Sequence, residues 1–186
     1  MRELNYLVDS VMALVVGAFL LRLLLQWVRT DFRNPLAQAI SRLTNPIVIP
    51  LRRALPSIGR TDTAAVVAVL AAEMVKILLL MLLGGGLAGI GPFLLLVALD
   101  LTNTTLLLYQ FSVFIFVLLS WVSSDGYNAT GRIFGDLTAP LLRPLRRALP
   151  ELGGLDLSPV AALLLLQVLR MVLNDRIAPL LTSLLG

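Results

Sequence analysis

PLRRALP runs from Pro50 to Pro56 and again from Pro144 to Pro150. The two copies stand 94 positions apart, each between apolar runs long enough to cross a bilayer. The same offset, applied without a gap, pairs Trp27 with Trp121, Asn34 with Asn128, Pro46 with Pro140, Gly59 with Gly153 and Asp62 with Asp156. It also sets Lys76 against Arg170 and Glu73 against Gln167. A register kept over this length is the mark of duplication, so the chain reads as two tandem units.

Composition fixes the class. Of 186 residues, 58% are hydrophobic and only 14% charged, against about half and about a quarter in a soluble domain. The excess is gathered into runs, which points to bilayer-spanning helices. There is no cysteine and no histidine. That removes disulfides, thiolate nucleophiles, Cys/His zinc sites, His-ligated haem and Ser-His-Asp triads, and no cofactor or metal is expected. The net charge is +4. The arginines mostly lie in two loops beside apolar runs, so the charge reads as topology signal and contact with anionic headgroups, not as nucleic-acid binding.

The expected fold class is an all-α membrane protein. Four transmembrane helices, at about 5–28, 63–83, 101–122 and 158–174, form two parallel helical-hairpin repeats over 1–92 and 93–186. The first run, Leu4 to Val28, is too long for a signal peptide and ends in no small-residue cleavage site, so it is retained. Arg22 stands near its inner end and is expected to snorkel to the headgroups. Each repeat also carries a cytoplasmic amphipathic segment. In the first, Asn34-Pro35 starts a helix and Leu36, Ala39, Ile40, Leu43 and Ile47 follow at helical spacing. That segment is expected to lie in the interface. Pro46 and Pro50 are expected to end it, leaving Leu51 to Leu55 as one short turn. Phe93 to Leu99 is expected in the interface or as an extension of the third span, and Ile177 to Leu185 is too short to span.

Two spans per unit make both units enter from the same side. The 29–63 and 123–157 connections hold ten of the fifteen basic residues and the 84–100 connection none. Both PLRRALP loops are therefore expected in the cytoplasm, with both termini outside.

Few residues offer chemistry. Arg52, Arg53, Arg146 and Arg147 are candidates for binding lipid or a protein partner. Asp62 and Asp156 open the second helix of each unit as caps, with a cation site between the two symmetric carboxylates as the alternative. Glu73, Lys76, Gln167 and Arg170 form a candidate intramembrane polar network, because ionisable groups at bilayer depth are costly and are paired or functional. Glu73 is expected to pair with Lys76 at i,i+3 or to reach Arg170 across the repeat interface. No nucleophile or metal-ligand set accompanies these groups, and no enzymatic activity is expected.

TAPLLRPLRRALPELGGLDLSPVAALLLLQVL, Thr138 to Leu169, resembles the signature of the YggT family of small bacterial membrane proteins. TNPIVIPLRRALPSIGRTDTAAVVAVL, Thr44 to Leu70, is a weaker copy of it. The resemblance covers nearly the whole chain as two family units. The first copy departs in having Arg60-Thr61 where the second has Gly154-Leu155. The resemblance implies an integral membrane protein of the bacterial inner membrane. Its members are similar to plastid proteins linked to cytochrome b6f assembly, some lie near cell-division genes, and others are associated with osmotic or ion homeostasis. It carries over no catalytic residue. The expected function is a non-enzymatic assembly or scaffold factor that docks anionic lipid or an unidentified membrane or cytoplasmic protein through its Arg-rich loops. The alternative is a small channel or transporter using polar groups at the repeat interface. Homo-oligomerisation is left open.

Overall fold

A run of about twenty apolar residues can satisfy its backbone in a bilayer only by hydrogen bonding within itself, which selects helix. The computed structural model describes residues 2–30, 32–58, 61–86, 89–122, 129–149 and 156–185, and these are all-helical apart from their turns and an isolated bridge between Ile58 and Thr61. The order is α1 (Arg2–Trp27), α2 (Pro35–Ala54), α3 (Thr63–Leu83), α4 (Ile90–Val122), α5 (Ala129–Ala148), α6 (Ser158–Val172), a π-helical turn (Leu173–Ile177) and α7 (Ala178–Leu185). α1, α3 and α4 are each long and apolar enough to cross a membrane. Large apolar side chains such as Leu14, Leu82 and Phe111 stand exposed on them, as on the exterior of a membrane protein.

α4 is one helix, so Phe93 to Leu99 extends the span and does not lie flat. The expected span at 158–174 takes a different form. α6 has 15 residues, fewer than the roughly 20 a span needs. The chain stays helical beyond it, through the wide turn at Leu173–Ile177 and into α7.

Packing follows the 94-residue register. α1, α2 and α3 pack together, and so do α4, α5 and α6. Phe19 of α1, Val48 of α2 and Ala68 of α3 share one buried cluster. Their counterparts Val113, Leu142 and Ala162 share another. Volume lost at Phe19/Val113 is regained in part at Val48/Leu142. α1 and α3 each touch α4, and α5 reaches α1, where Leu137 enters the first cluster. The alanines Ala64, Ala65 and Ala68 let α3 approach its neighbours closely.

Three local expectations are corrected. First, α2 runs unbroken to Ala54 with Pro46 and Pro50 inside it, so Leu51 to Ala54 is its last turn. Both prolines are exposed, as are Arg42 and Pro46, the residues whose carbonyls they leave without an N–H partner. Those carbonyls can be hydrated, and packing along the opposite side holds the helix together. α5 carries Pro140 and Pro144 in the same way. Second, the buried stripe of α2 is Ala37, Ile40, Thr44 and Val48, while Leu43 and Ile47 are exposed. The stripe is rotated because a polar residue, Thr44, is drawn inward. Third, the group that draws it is Arg22, which is only 4% exposed and does not snorkel. α2 lies across its route to the headgroups and supplies acceptors instead. Arg22 Nη1 donates to Thr44 Oγ1 at 2.6 Å, Asn45 Oδ1 at 2.9 Å and the Ser41 carbonyl at 3.4 Å.

The second repeat makes the same contact without charge. Phe116 stands at the Arg22 position, and Gly135 stands at the Ser41 position. A Cβ at Gly135 would lie 3.4 Å from Phe116 Cε2. Thr138, the counterpart of Thr44, is fully buried but bonds only carbonyls of its own helix. Thr44→Val should therefore cost about 1–3 kcal/mol by removing the shortest hydrogen bond of a buried guanidinium. Thr138→Val should cost less than about 0.5 kcal/mol, since back-bonding to the same helix adds little. Chemical unfolding in detergent micelles measures both, and equal losses would contradict the assignment.

Candidate functional site

Besides the Arg22 contact, polar groups of the described residues collect in three places. At the end of each amphipathic helix, the first arginine of PLRRALP turns back onto the aspartate that precedes the next helix. Arg52 Nε donates to Asp62 Oδ2 at 2.9 Å, and Arg52 Nη2 bonds the same oxygen. Gln26 Nε2 adds a bond to Asp62 Oδ2 at 3.2 Å, and Asp62 Oδ1 caps α3 by accepting from the Ala65 N–H at 3.4 Å. In the second repeat Arg146 Nε donates to Asp156 Oδ2 at 2.8 Å, and Asp156 Oδ1 accepts from the Ser158 N–H at 2.9 Å. There the N-cap of α6 is Leu157, so Asp156 sits one residue outside the cap position expected of it. These matched ion pairs latch α2 to α3 and α5 to α6. They engage Arg52 and Arg146 and leave Arg53 and Arg147 exposed beside them, outside the pairs.

The latches differ in burial. Asp62 is 8% exposed and Asp156 42%. Burial acts to raise the Asp62 pKa, but hydrogen bonds from Arg52, Gln26 and the Ala65 N–H more than offset it, and the carboxyl is held below its ordinary value of 3.8. Asp156 is held low against a smaller burial effect by Ser158 and Arg146.

The second place lies among α1, α3 and α4. Lys76 Nζ sits between Asp9 Oδ1 at 3.0 Å and Asp100 Oδ2 at 2.6 Å, joining all three helices. Glu73 is one turn away on the same buried face of α3 and is fully enclosed. It does not pair with Lys76, whose ammonium is already engaged, and neither of its oxygens meets a hydrogen-bond donor among the described residues.

The third place is the corresponding position of the second repeat. Arg170 Nε donates to Asn103 Oδ1 at 3.0 Å, and its Nη1 donates to Gln110 Oε1 at 3.1 Å. Gln110 Nε2 passes the chain on to Gln167 Oε1 at 3.0 Å, and Asn174 of the π turn reaches Asn103 at 3.4 Å. Glu73, Lys76, Gln167 and Arg170 are thus split between two clusters, and Glu73 does not bridge to Arg170. Asp9, Asp100, Gln110 and Asn174 complete the clusters and were not singled out by sequence; Asn103, which with Thr102, Thr104 and Thr105 reads from sequence as an interhelical hydrogen-bonding group or a frayed helix end, does bond between helices. One signal was present: the offset that pairs Lys76 with Arg170 also pairs Asp9 with Asn103.

The family model described as CCB3/YggT matches residues 1–83 and again 95–177, one match per repeat. The chain belongs to the CCB3/YggT family. It is 40% identical to an uncharacterised protein of Pseudomonas aeruginosa over 93% of this chain and 89% of that one. It is 36% identical to the uncharacterised protein YggT of Escherichia coli K12, over 92% and 89%. It is 34% identical to an uncharacterised Vibrio alginolyticus protein encoded in the proC 3′ region, over 96% and 97%. No solved structure matches the chain.

The latches give a pH-dependent expectation. A carboxyl whose folded pKa is depressed contributes stability that is present above its unfolded pKa and lost as pH falls through the folded value. Asp62→Ala should cost about 1–2 kcal/mol at neutral pH, the scale of a lost cap. Asp156→Ala should cost no more than about 1 kcal/mol, as for an exposed ion pair. The gap between wild type and Asp62→Ala should close as pH falls below 3.8. Unfolding in micelles across that range checks the sign, and a gap that widens in acid would contradict it.

Proposed function

We propose that the protein is a non-enzymatic assembly or scaffold factor of the bacterial inner membrane. It docks anionic headgroups and an acidic face of a partner protein through the arginines its latches leave exposed, Arg53 and Arg147. The observation that carries this reading is the doubled presentation. Two amphipathic helices end in the same motif, and in each one arginine is committed to the latch while the next stands exposed outside it. A latched helix end shows its charge with little loss of freedom on binding, which favours recognition over loose counter-ion contact. Arg42 on α2 and Arg143 on α5, which the offset does not pair, add further exposed positive charge to each helix.

In this reading there are four spans, the fourth being α6 carried on through the π turn. The two repeats are parallel hairpins, with the Arg-rich helices on the cytoplasmic side and both termini outside. The distribution of arginine supports that orientation. A second reading, a small channel or transporter, is favoured by one observation only: a buried carboxyl, Glu73, without a donor in a spanning helix.

The Arg53→Ala/Arg147→Ala double variant tests the docking role. Each basic residue near an anionic surface contributes about 1 kcal/mol, so the pair should weaken capture of a crosslinked membrane partner, or binding of anionic lipid, by about 30-fold. Capture from native membranes that is equal for both proteins, together with ion flux in purified vesicles, would reject the scaffold and favour the transporter.

A further inference from the structure

Glu73 is 0% exposed, and both its oxygens lack a donor. The charged groups that face it are Asp100 from α4, Lys76 from its own helix and Asp9 from α1. The arginines at the end of α2 lie with Asp62, eleven residues from Glu73 and about 16 Å along the helix. Lys76 is already bonded to Asp9 and Asp100. Three ionised carboxylates around one ammonium would leave two uncompensated negative charges inside a helix bundle at bilayer depth, which is strongly disfavoured. Asp100 lies within hydrogen-bonding reach of Glu73. Two carboxylates can bond to each other only when one of them carries a proton.

The duplication supplies an internal comparison. Gln167 stands at the Glu73 position, Asn103 at the Asp9 position and Arg170 at the Lys76 position. There α4 and α6, the counterparts of α1 and α3, are joined by the Arg170 guanidinium and neutral amides, and none of these bonded partners is a carboxylate. Packing of the repeat therefore does not require an acid at this place. Among the described residues, no group of three or more carboxylate, His or Cys side chains is placed to hold a metal ion. The Lys76 ammonium also fills the space between Asp9 and Asp100. A proton fits where a metal cation does not.

We propose that Glu73 is the seat of an exchangeable proton, donated in a hydrogen bond to the Asp100 carboxylate, and that Asp9, Glu73, Lys76 and Asp100 together form a proton-binding site. Release breaks the Glu73 O–H bond and leaves its electron pair on the carboxylate. The proton passes to Asp100, whose side chain is 29% exposed, and leaves from there. The Lys76 ammonium then turns to the new Glu73 carboxylate. This inference stands apart from the docking role, since it uses none of the exposed arginines.

Infrared spectroscopy of the full chain in lipid bilayers tests it. Wild type should show the carbonyl band of one protonated carboxylic acid at neutral pH, and the band should vanish as pH is raised. Labelling with carbon-13 glutamate should shift that band, which assigns it to a glutamate without any mutation. Glu73→Gln should remove the band while keeping helicity and thermal stability, because Gln167 already serves the second repeat. Asp100→Asn should shift the band without removing it. Loss of the Glu73 proton signal should follow pH and not Na+ or K+ concentration. No protonated band in wild type, a band unmoved by labelled glutamate, or displacement by an alkali cation at constant pH would each overturn the assignment. Retained binding of a partner through Arg53 and Arg147 in Glu73→Gln would show that the two sites fail or stand separately.

Discussion

Lys76 is bonded to helices of both repeats at once. An ammonium at bilayer depth must find acceptors within the protein. Lys76 finds one on α1 and one on α4. The bond to Asp9 closes the first repeat on itself, whereas the bond to Asp100 crosses to the second. Asp100 has no acidic counterpart, since the offset places Tyr6 at that position in the first repeat. Arg170, the counterpart of Lys76, bonds side chains of α4 only, within its own repeat. The ionic tie between the repeats is therefore one-sided. Apolar packing joins the repeats as well, as where Leu137 enters the first cluster.

The same pattern governs the contact between the first two helices of each repeat. A buried guanidinium needs several acceptors or it is destabilising. Arg22 has the Thr44 hydroxyl, the Asn45 amide and the Ser41 carbonyl. In the second repeat the arginine is replaced by Phe116, and the acceptor at the Asn45 position becomes Ala139. Donor and acceptor are absent together, and Gly135 makes room for the ring. The latches did not change in this way, because Arg52–Asp62 and Arg146–Asp156 hold the ends of helices in both copies. What varies between the copies is how each polar interior is satisfied, and what is kept is the docking of the amphipathic helix.

Features that depend on short-range pattern were legible in the sequence: apolar runs, helix starts, charge bias and the duplication. The passage of α2 through Pro46 and Pro50 was not, because a proline rule is local and the exposure that relaxes it is tertiary. The stripe Ala37, Ile40, Thr44, Val48 was misread for the same reason, since nothing around Thr44 announces that Arg22 lies opposite. The latch joins residues ten positions apart across a turn, so helical periodicity cannot show it. It could have been inferred from the repeat, which preserves both arginine and aspartate at the same spacing. Asp9 and Asp100 are lone acids on different helices, and only the packing of α1 and α4 against α3 brings them to one lysine.

Both chemistries of the first repeat meet on α3. Asp62 holds its first turn to α2, and Lys76, fourteen residues on and about 21 Å along the axis, holds its far half to α1 and α4. Between them the helix is packed through Ala64, Ala65, Ala68 and Val69, small side chains that leave little slack. A ligand shifts an equilibrium only by binding one arrangement better than another. Anything bound at Arg53 is separated from the Lys76 cluster by that close-packed stretch, and could affect it only by moving α3 as a body against α1. The second repeat has the same latch but amides at the far end of its helix, so a like movement there would change hydrogen bonds without changing charge.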